Sequence, residues 1–293
     1  MQKDRVGISW RPELAGGILR HLDSIDVLEV IAEDYFSASG TEIRAVQSLG
    51  REVPVVLHGL GLGAASATPV ERKLASRMAC LVERLRPEFW SEHLAFVRAG
   101  GREIGHLAAP PRTAATVEGA AANLEMAHRE VGTRPMMENI ATLVEPPGST
   151  IDEPEWIDRI LQESRCDLLL DLHNLYANAL NFGCDPHAFL ERFPLERVGA
   201  IHLAGGRWVE EPAAVPGTGN RRILDDHLHR VPDPVYELLA EAAARTSRPL
   251  TVVLERDGHY PPFDELLDEL DAARAALRRG RAQRIAREAS VPA

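Results

Sequence analysis

The sequence predicts an α/β fold, a single (β/α)8 TIM barrel, on three observations. Eight short apolar runs alternate along the chain with longer segments of helical periodicity. Most of the runs are nearly continuous in Val, Ile and Leu, which is typical of parallel strands that are covered on both faces. The length of 293 residues and the 45% hydrophobic content suit one barrel core. We therefore expect residues 1–293 to form one domain, with long loops at the carboxyl ends of the strands and a basic C-terminal helix.

The predicted strands share an abrupt end at a polar or charged residue, and they occupy positions 5–10, 26–33, 53–59, 89–96, 135–139, 167–174, 198–205 and 250–257. Segments between them, such as 69–85 and 112–132, place Ala, Leu and charged residues at helical spacing. An open, doubly wound sheet is the alternative architecture. It favours a Gly-rich phosphate turn after the first strand, and residues 9–17 (SWRPELAGG) do not have that pattern.

Three connections that follow strands are rich in Pro, Gly and Asn, namely 141–155, 175–186 and 205–224. Barrel active sites lie at the carboxyl ends of the strands, so these segments are candidate substrate loops or lids, with plain surface loops as the alternative. The third segment contributes Arg207, Trp208, Arg221 and Arg222, which are suited to gripping a peptide. The basic run 278–287 is interpreted as a solvated helix.

The overall charge argues against a nucleic-acid partner. The chain has 44 acidic and 33 basic residues, a formal net charge of -11, which repels phosphates. Its three cysteines are widely spaced and form no C-x-x-C pair, so neither a disulfide framework nor a thiolate zinc site is indicated. The first residues lack an apolar signal region and no run approaches 18 apolar residues. We expect a cytoplasmic protein that neither spans nor binds a membrane.

Histidines and carboxylates gather where the predicted strands end. In chain order these residues are Glu29, Glu33, His58, Glu92, His93, Glu138, Asn139, Asp171, His173, His202 and Glu255, with Asp225 and His227 in the seventh connection. A barrel brings all strand ends onto one rim. One such histidine alone is more often a hydrogen-bonded core residue than a ligand, but five beside several carboxylates indicate a metal site.

Buried carboxylates also need a source of positive charge, and no Lys or Arg ends any of these strands before Arg256. Metal ions would supply that charge. Imidazole and carboxylate ligands without thiolate suit iron, manganese or zinc, and this ligand set does not distinguish among them. About nine ligands at roughly four to six per ion would serve two or three ions.

Nine motifs carry a family resemblance: GISWRPEL (7–14), DVLEVIAEDYF (26–36), VVLHGLGLG (55–63), SEHLAF (91–96), MENIAT (137–142), LLLDLHNLYANALNFG (168–183), IHLAG (201–205), DDHLHRVPDPVYELL (225–239) and LERDGHYPP (254–262). With these motifs, from about residue 5 to 275, the chain resembles the multinuclear non-heme iron-dependent oxidative enzymes, the family of the methanobactin oxidase catalytic subunit.

The resemblance implies two or three irons per chain in mixed Fe(II)/Fe(III) states, with O2 as co-substrate. The substrate would be a ribosomally made precursor peptide, oxidised at cysteine or other residues, and a separate partner protein would bind its leader. The implied ligands are His58, His93, Glu138, Asn139, Asp171, His202, Asp225, His227 and Glu255. Among them Asp171, His202 and Glu255 are the expected catalytic residues.

Two positions depart from the family pattern. His173, which we include among the metal ligands, stands where the family often has Asn, and Gly206 stands where IHLAG is commonly followed by His. Glu29, Glu33 and Asp34 could orient the histidines or carry protons, or form ordinary core hydrogen bonds. Two other functions stay open: a xylose-isomerase-like metal barrel, acting as a sugar isomerase or hydrolase, and a metal-binding protein without enzymatic activity.

Overall fold

A computed structural model of the chain describes residues 3–210 and 221–290. The strands in this part are β1 (Arg5–Ser9), β2 (Leu28–Ile31), β3 (Val55–Gly59), β4 (Trp90–His93), β5 (Phe96–Ala99), β6 (Arg102–Ala108), β7 (Met136–Glu138), β8 (Asp167–Asp171), β9 (Val198–Leu203), β10 (Gly206–Glu210), β11 (Arg221–Asp225) and β12 (Thr251–Leu254). Eight of them close into a parallel barrel in the order β1-β12-β9-β8-β7-β4-β3-β2. Each predicted strand run contains one barrel strand, which confirms the predicted fold class.

The helices lie between successive barrel strands, and the last of them follows β12. They are α1 (Ala15–Arg20), α2 (Ala32–Tyr35), α3 (Gly40–Glu52), α4 (Arg72–Leu85), α5 (Ala114–Val131), α6 (Glu153–Ser164), α7 (Leu172–Asn181), α8 (Pro186–Leu190), α9 (Asp233–Arg245) and α10 (Phe263–Ser290). Polar side chains fix several of their first turns: Ser39 and Thr113 form capping boxes, while Asp152 and Asp171 accept from main-chain N–H groups. The basic run 278–287 lies within α10.

The strand register places the polar strand ends side by side. His93 lies opposite Glu138 across β4 and β7, and Asp171 lies opposite His202 across β8 and β9. His58 pairs with Ser91 in the neighbouring strand. Below this edge the barrel strands are buried and apolar, so the core holds the polar rim in place. None of the described helices is long and apolar enough to cross a lipid bilayer.

Two of the three predicted loops lie largely in regular structure, and the third, 141–155, runs into the first turn of α6. Segment 175–186 was expected to be a substrate loop, but most of it lies in α7, which begins directly after β8. Leu172, Leu175 and Ala179 recur at helical spacing and are buried, and this packing outweighs the loop character suggested by the Asn-rich composition. Segment 205–224 forms the strands of the β10–β11 hairpin, and its residues 211–220 lie outside the described part.

A second hairpin, β5–β6, follows β4 directly and was not predicted. Residues 89–96 are predicted to form a single strand, but the barrel strand ends at His93 and Phe96 begins the hairpin. Likewise, the predicted strand 167–174 ends at Asp171, so that His173 lies in the first turn of α7. Both hairpins project from the end of the barrel that carries the polar residues.

Candidate metal centre

Glu138, the last residue of β7, lies at the centre of a cluster of buried histidines. Its Oε2 is 3.4 Å from Nε2 of His58 and 3.3 Å from Nε2 of His93. Its Oε1 is 3.3 Å from Nδ1 of His202. Two of the histidine rings, those of His58 and His93, stand edge to face with centroids 4.6 Å apart. Histidines from three different strands, β3, β4 and β9, therefore present ring nitrogens to the carboxylate at the end of β7.

Three overlapping groups of side chains are compact enough to share a cation, because their ligand atoms lie within 4.8 Å of one another. The groups are His58 with His93 and Glu138; Glu138 with Asp171, His202 and Glu255; and Glu29 with His58 and His202. Glu29 was not predicted as a ligand, although its Oε2 lies 2.8 Å from Nε2 of His202. The available signal was an acidic residue within the otherwise apolar strand β2, and the roles predicted for it were orienting the histidines, carrying protons or ordinary core hydrogen bonding.

Two carboxylate oxygens test whether cations fit this site. Glu138 Oε2 and Asp171 Oδ2 are buried and have no hydrogen-bond partner among the described residues. A buried carboxylate oxygen without a donor is costly, and a metal ion bound between the side chains would satisfy both. The donors are imidazole nitrogens and carboxylate oxygens, a set that suits iron, manganese or zinc. The residues present therefore fit a metal centre.

The protonation equilibria of the cluster are strongly perturbed. Burial raises the pKa of Asp171 well above its ordinary value, and the charges of Glu138 and Asp225 raise it further. Burial lowers the pKa of His58, reinforced by the neighbouring histidines. Burial alone would lower the pKa of His93, but the carboxylates of Glu138 and Glu92 outweigh this effect and raise that pKa to about 9. Without metal, protons partly replace the missing positive charge, so metal binding must displace protons.

Ser91, on β4, fixes the orientation of the His58 ring. Its hydroxyl lies 2.8 Å from Nδ1 of His58 and donates to the main-chain oxygen of Leu57 at 3.3 Å. Since the hydroxyl has a single proton, it accepts from Nδ1 of His58 and leaves Nε2 free to bind a cation. Partners of this kind orient metal-binding histidines. Ser91 is not among the residues predicted from the sequence.

Ser91→Ala should weaken metal binding by about 10–100-fold while the barrel stays folded, because His58 loses the group that holds its tautomer and ring angle. Metal affinity is measured by competition with a chelator of known strength. Ser76→Ala is the matched control, since Ser76 is exposed on α4 and lies outside the site. Equal affinities for the two variants would show that Ser91 does not position His58.

Asn139 holds the main chain at Asp171. Its Nδ2 donates to the carbonyl oxygen of Asp171, and its Oδ1 accepts from the N–H of Asp171, both at 2.9 Å. Asp171 Oδ1 in turn accepts from Asn174 N at 2.6 Å and caps α7. Asn139 was predicted as a ligand, and in this structure its amide contacts position Asp171.

A second cluster lies towards the opening of the barrel. Asp225 Oδ1 is 2.8 Å from Nδ1 of His173, and its Oδ2 is 2.9 Å from Nε2 of His227. Burial alone would raise the pKa of Asp225, but the hydrogen bonds from His173 and His227 hold that pKa below its ordinary range. His227 Nδ1 lies 3.6 Å from Glu255 Oε2, which connects this cluster to the buried groups. The predicted site residues thus form one continuous site.

The two departures from the family pattern are sterically linked. A Cβ atom on Gly206 would lie 2.6 Å from Cε1 of His173 and 2.3 Å from the main-chain oxygen of Leu224. The imidazole of His173 therefore occupies space that a side chain at position 206 would need. In this chain α7 supplies the histidine beside Asp225, and the β10–β11 hairpin leaves room for it.

A pocket of about 410 Å³ opens above the cluster, with His93, Glu138, Asp225 and His227 among its lining residues. Of the residues predicted to grip a peptide, Trp208 is half exposed, and the guanidinium of Arg221 lies 5.2 Å from the centre of its ring. Arg207 pairs with Asp226, and Arg222 lies over the ring of Phe182. These four residues belong to the β10–β11 hairpin, but they are not among the residues that line the pocket.

Known proteins resemble this chain in sequence and in fold. A UPF0276 protein of Caulobacter vibrioides is 33% identical over 280 residues, which cover 95% of this chain and 96% of that protein. A UPF0276 protein of Streptomyces avermitilis is 36% identical over 286 residues, 93% of this chain, and the matched part spans only 55% of that longer relative. Among solved structures, an L-ribulose 3-epimerase aligns with a TM-score of 0.59 at 13% identity, covering 98% of each chain. That likeness shows the barrel fold alone.

Residues 5–278 match the family described as RiPP precursor modification enzyme MbnB/TglH/ChrH, where RiPP denotes a ribosomally synthesised and post-translationally modified peptide. The match spans every barrel strand and every residue of the metal centre. It agrees with the resemblance that the strand-end motifs indicated. The chain therefore belongs to the MbnB/TglH/ChrH family of RiPP precursor modification enzymes.

Proposed function

We propose that this protein is an iron-dependent oxidase or oxygenase that uses O2 to modify a ribosomally made precursor peptide, at cysteine. The observation that carries the proposal is the group of buried histidines and carboxylates around Glu138, in which Glu138 Oε2 and Asp171 Oδ2 have no hydrogen-bond partner in the part of the chain that the structure describes. Membership of a family that modifies precursor peptides supports the substrate class.

The ligand set is large enough for two or three irons. In the cluster around Glu138, the proposed ligands are His58, His93, Glu138, Asp171, His202 and Glu255. In the second cluster, towards the opening of the barrel, they are His173, Asp225 and His227. Iron in mixed Fe(II)/Fe(III) states would transfer electrons from the substrate to O2. Asp171, His202 and Glu255 are the proposed catalytic residues, since they share one compact group with Glu138.

The protein's own groups would bind and orient the reactants. Asn139 and Ser91 hold Asp171 and His58 in place, so the ligand atoms are positioned before a substrate arrives. Apolar residues around the pocket would exclude water from the reacting groups. A separate protein that binds the leader peptide is proposed as the partner, on the basis of the family resemblance.

Sugar isomerisation is the alternative, because the barrel has the fold of an L-ribulose 3-epimerase and carries a histidine–carboxylate rim. The two functions are separated by co-expressing the protein with a short cysteine-containing peptide that is encoded beside it, with and without a neighbouring partner protein. We expect a mass change in the peptide that requires iron and O2 and is absent with Asp171→Asn. An unchanged peptide, together with aldose or ketose conversion by the purified protein, would favour the sugar enzyme.

A further inference from the structure

The pocket above the metal centre has a polar floor and apolar walls. His93, Glu138, Asp225 and His227 lie at the floor, and the other polar lining residues are His106, Thr142 and Asn174. One wall is the segment 140–147, which contributes Ile140, Leu143, Val144 and Pro146. The facing surfaces come from Leu107 and Ala108 in β6 and from Ile223 and Leu224 in β11. A molecule bound to the floor would therefore lie between aliphatic side chains.

Two sides of the pocket, segment 140–147 and strand β11, are held in place by asparagines of α7. Asn178 accepts from Thr142 N at 2.8 Å and donates to Ile140 O at 2.9 Å. Asn181 accepts from the N–H of Ile223 at 2.7 Å and donates to its carbonyl oxygen at 3.0 Å. Asn181 also donates a hydrogen bond to the carbonyl oxygen of Thr142 at 3.3 Å, so its side chain connects segment 140–147 to β11. The pocket is consequently preformed, which lowers the entropic cost of binding.

The lining determines which ligand the pocket suits. A sugar carries a hydroxyl on nearly every carbon and needs donors and acceptors along its length, and the aliphatic walls offer few of either. A charged side chain would lose water there without gaining an ionic partner beyond the floor residues. An aliphatic side chain would instead bury apolar surface against both walls. The volume of about 410 Å³ lies within the range of about 300–1,000 Å³ that is usual for small-ligand pockets.

We propose that this pocket is the subsite for an aliphatic residue directly next to the cysteine that the enzyme modifies. The proposal rests on the proposed function, because the cysteine would be bound at the floor. The subsite makes the enzyme selective for cysteines with an apolar neighbour and disfavours cysteines flanked by acidic residues. Leu143 and Val144 are the specificity-determining positions, since both are partly exposed and lie at the rim.

Short peptides test the subsite independently of oxidation. Capped hexapeptides, Gly-Ser-X-Cys-Gly-Ser and Gly-Ser-Cys-X-Gly-Ser, carry a fluorophore and have leucine, serine or aspartate at X. Their binding to the iron-loaded protein is measured anaerobically by fluorescence anisotropy. We expect a leucine peptide to bind at least about tenfold more tightly than its aspartate counterpart, the scale on which apolar pockets discriminate.

Substitutions at the rim locate the effect. Val144→Asp should remove most of the leucine preference without unfolding the protein, because the side chain is 65% exposed. Ile285→Asp on α10, where the side chain is 62% exposed, should leave the preference unchanged. Equal affinity for all peptides, binding by none of them, or a preference unaffected by Val144→Asp would overturn the subsite.

The two proposals fail in different ways. If the neighbouring precursor peptide is oxidised but the hexapeptides show no leucine preference, the proposed function stands and the subsite is wrong. If the leucine peptide is preferred but no precursor is ever oxidised, the pocket binds as argued and the oxidative function is wrong.

Discussion

Asp171→Asn should lower turnover by at least about a hundredfold to a thousandfold, the scale seen when a charge acting at the reacting centre is removed. Asp171 contributes to the compact group with Glu138, His202 and Glu255, and its Oδ2 has no hydrogen-bond partner among the described residues. The barrel should stay folded, because strand-end residues on this face serve function more than stability. Asparagine is also a good helix cap, so α7 keeps its first turn.

The readouts are circular dichroism, bound metal and peptide oxidation by one protein sample. Asp152→Asn is the matched control, since Asp152 caps α6 in the same way and lies outside the metal centre. We expect the control to keep its fold, its metal and its activity. Asp171→Asn should keep its fold but lose bound metal and peptide oxidation. A variant that loses the fold together with the metal would assign Asp171 a structural role. Full activity of Asp171→Asn would exclude it from the catalytic group.

Removal of the metal should lower the melting temperature by an amount on the order of 10 °C. Ligand that binds only the folded state at about a thousand times its Kd contributes about 4 kcal/mol, and about 1 kcal/mol shifts the melting temperature of a chain of roughly this size by about 2–4 °C. Without cations, Glu138 Oε2 and Asp171 Oδ2 have no hydrogen-bond partner among the described residues. Chelator titration followed by calorimetry measures the shift.

Glu138→Ala is the comparison variant for this shift, because Glu138 belongs to two of the three candidate groups. Its melting temperature should respond little to chelator or to added iron. If the unmodified protein and Glu138→Ala respond equally, the stabilising metal is bound elsewhere on the chain.

Much of the site was predictable because parallel strands leave one pattern in the sequence. Each run of Val, Ile and Leu ends in a polar residue, and barrel closure brings those ends together. The pattern identified Glu138 together with His58, His93 and His202, and the structure places the three histidines around the Glu138 carboxylate. Pairings between distant strands were not needed for that prediction, since every strand end reaches the same rim.

The remaining features depend on contacts that sequence spacing does not encode. Segment 175–186 has a loop-like composition, yet buried Asn178 and Asn181 are required there because they satisfy main-chain groups of two neighbouring walls. Glu29 lies within β2 rather than at its end, and only the geometry shows that its carboxylate reaches His202. The link between His173 and Gly206 is steric, and their separation along the chain hides it, as the 52 positions between His173 and Asp225 hide that contact.

Iron content after anaerobic reconstitution tests the central claim most directly. The claim is that the strand-end histidines and carboxylates form a centre for more than one iron ion. Elemental analysis against protein concentration should give at least two irons per chain, falling in Glu138→Ala. One iron or fewer per chain, or zinc retained in preference to iron with full activity, would contradict a multinuclear iron centre.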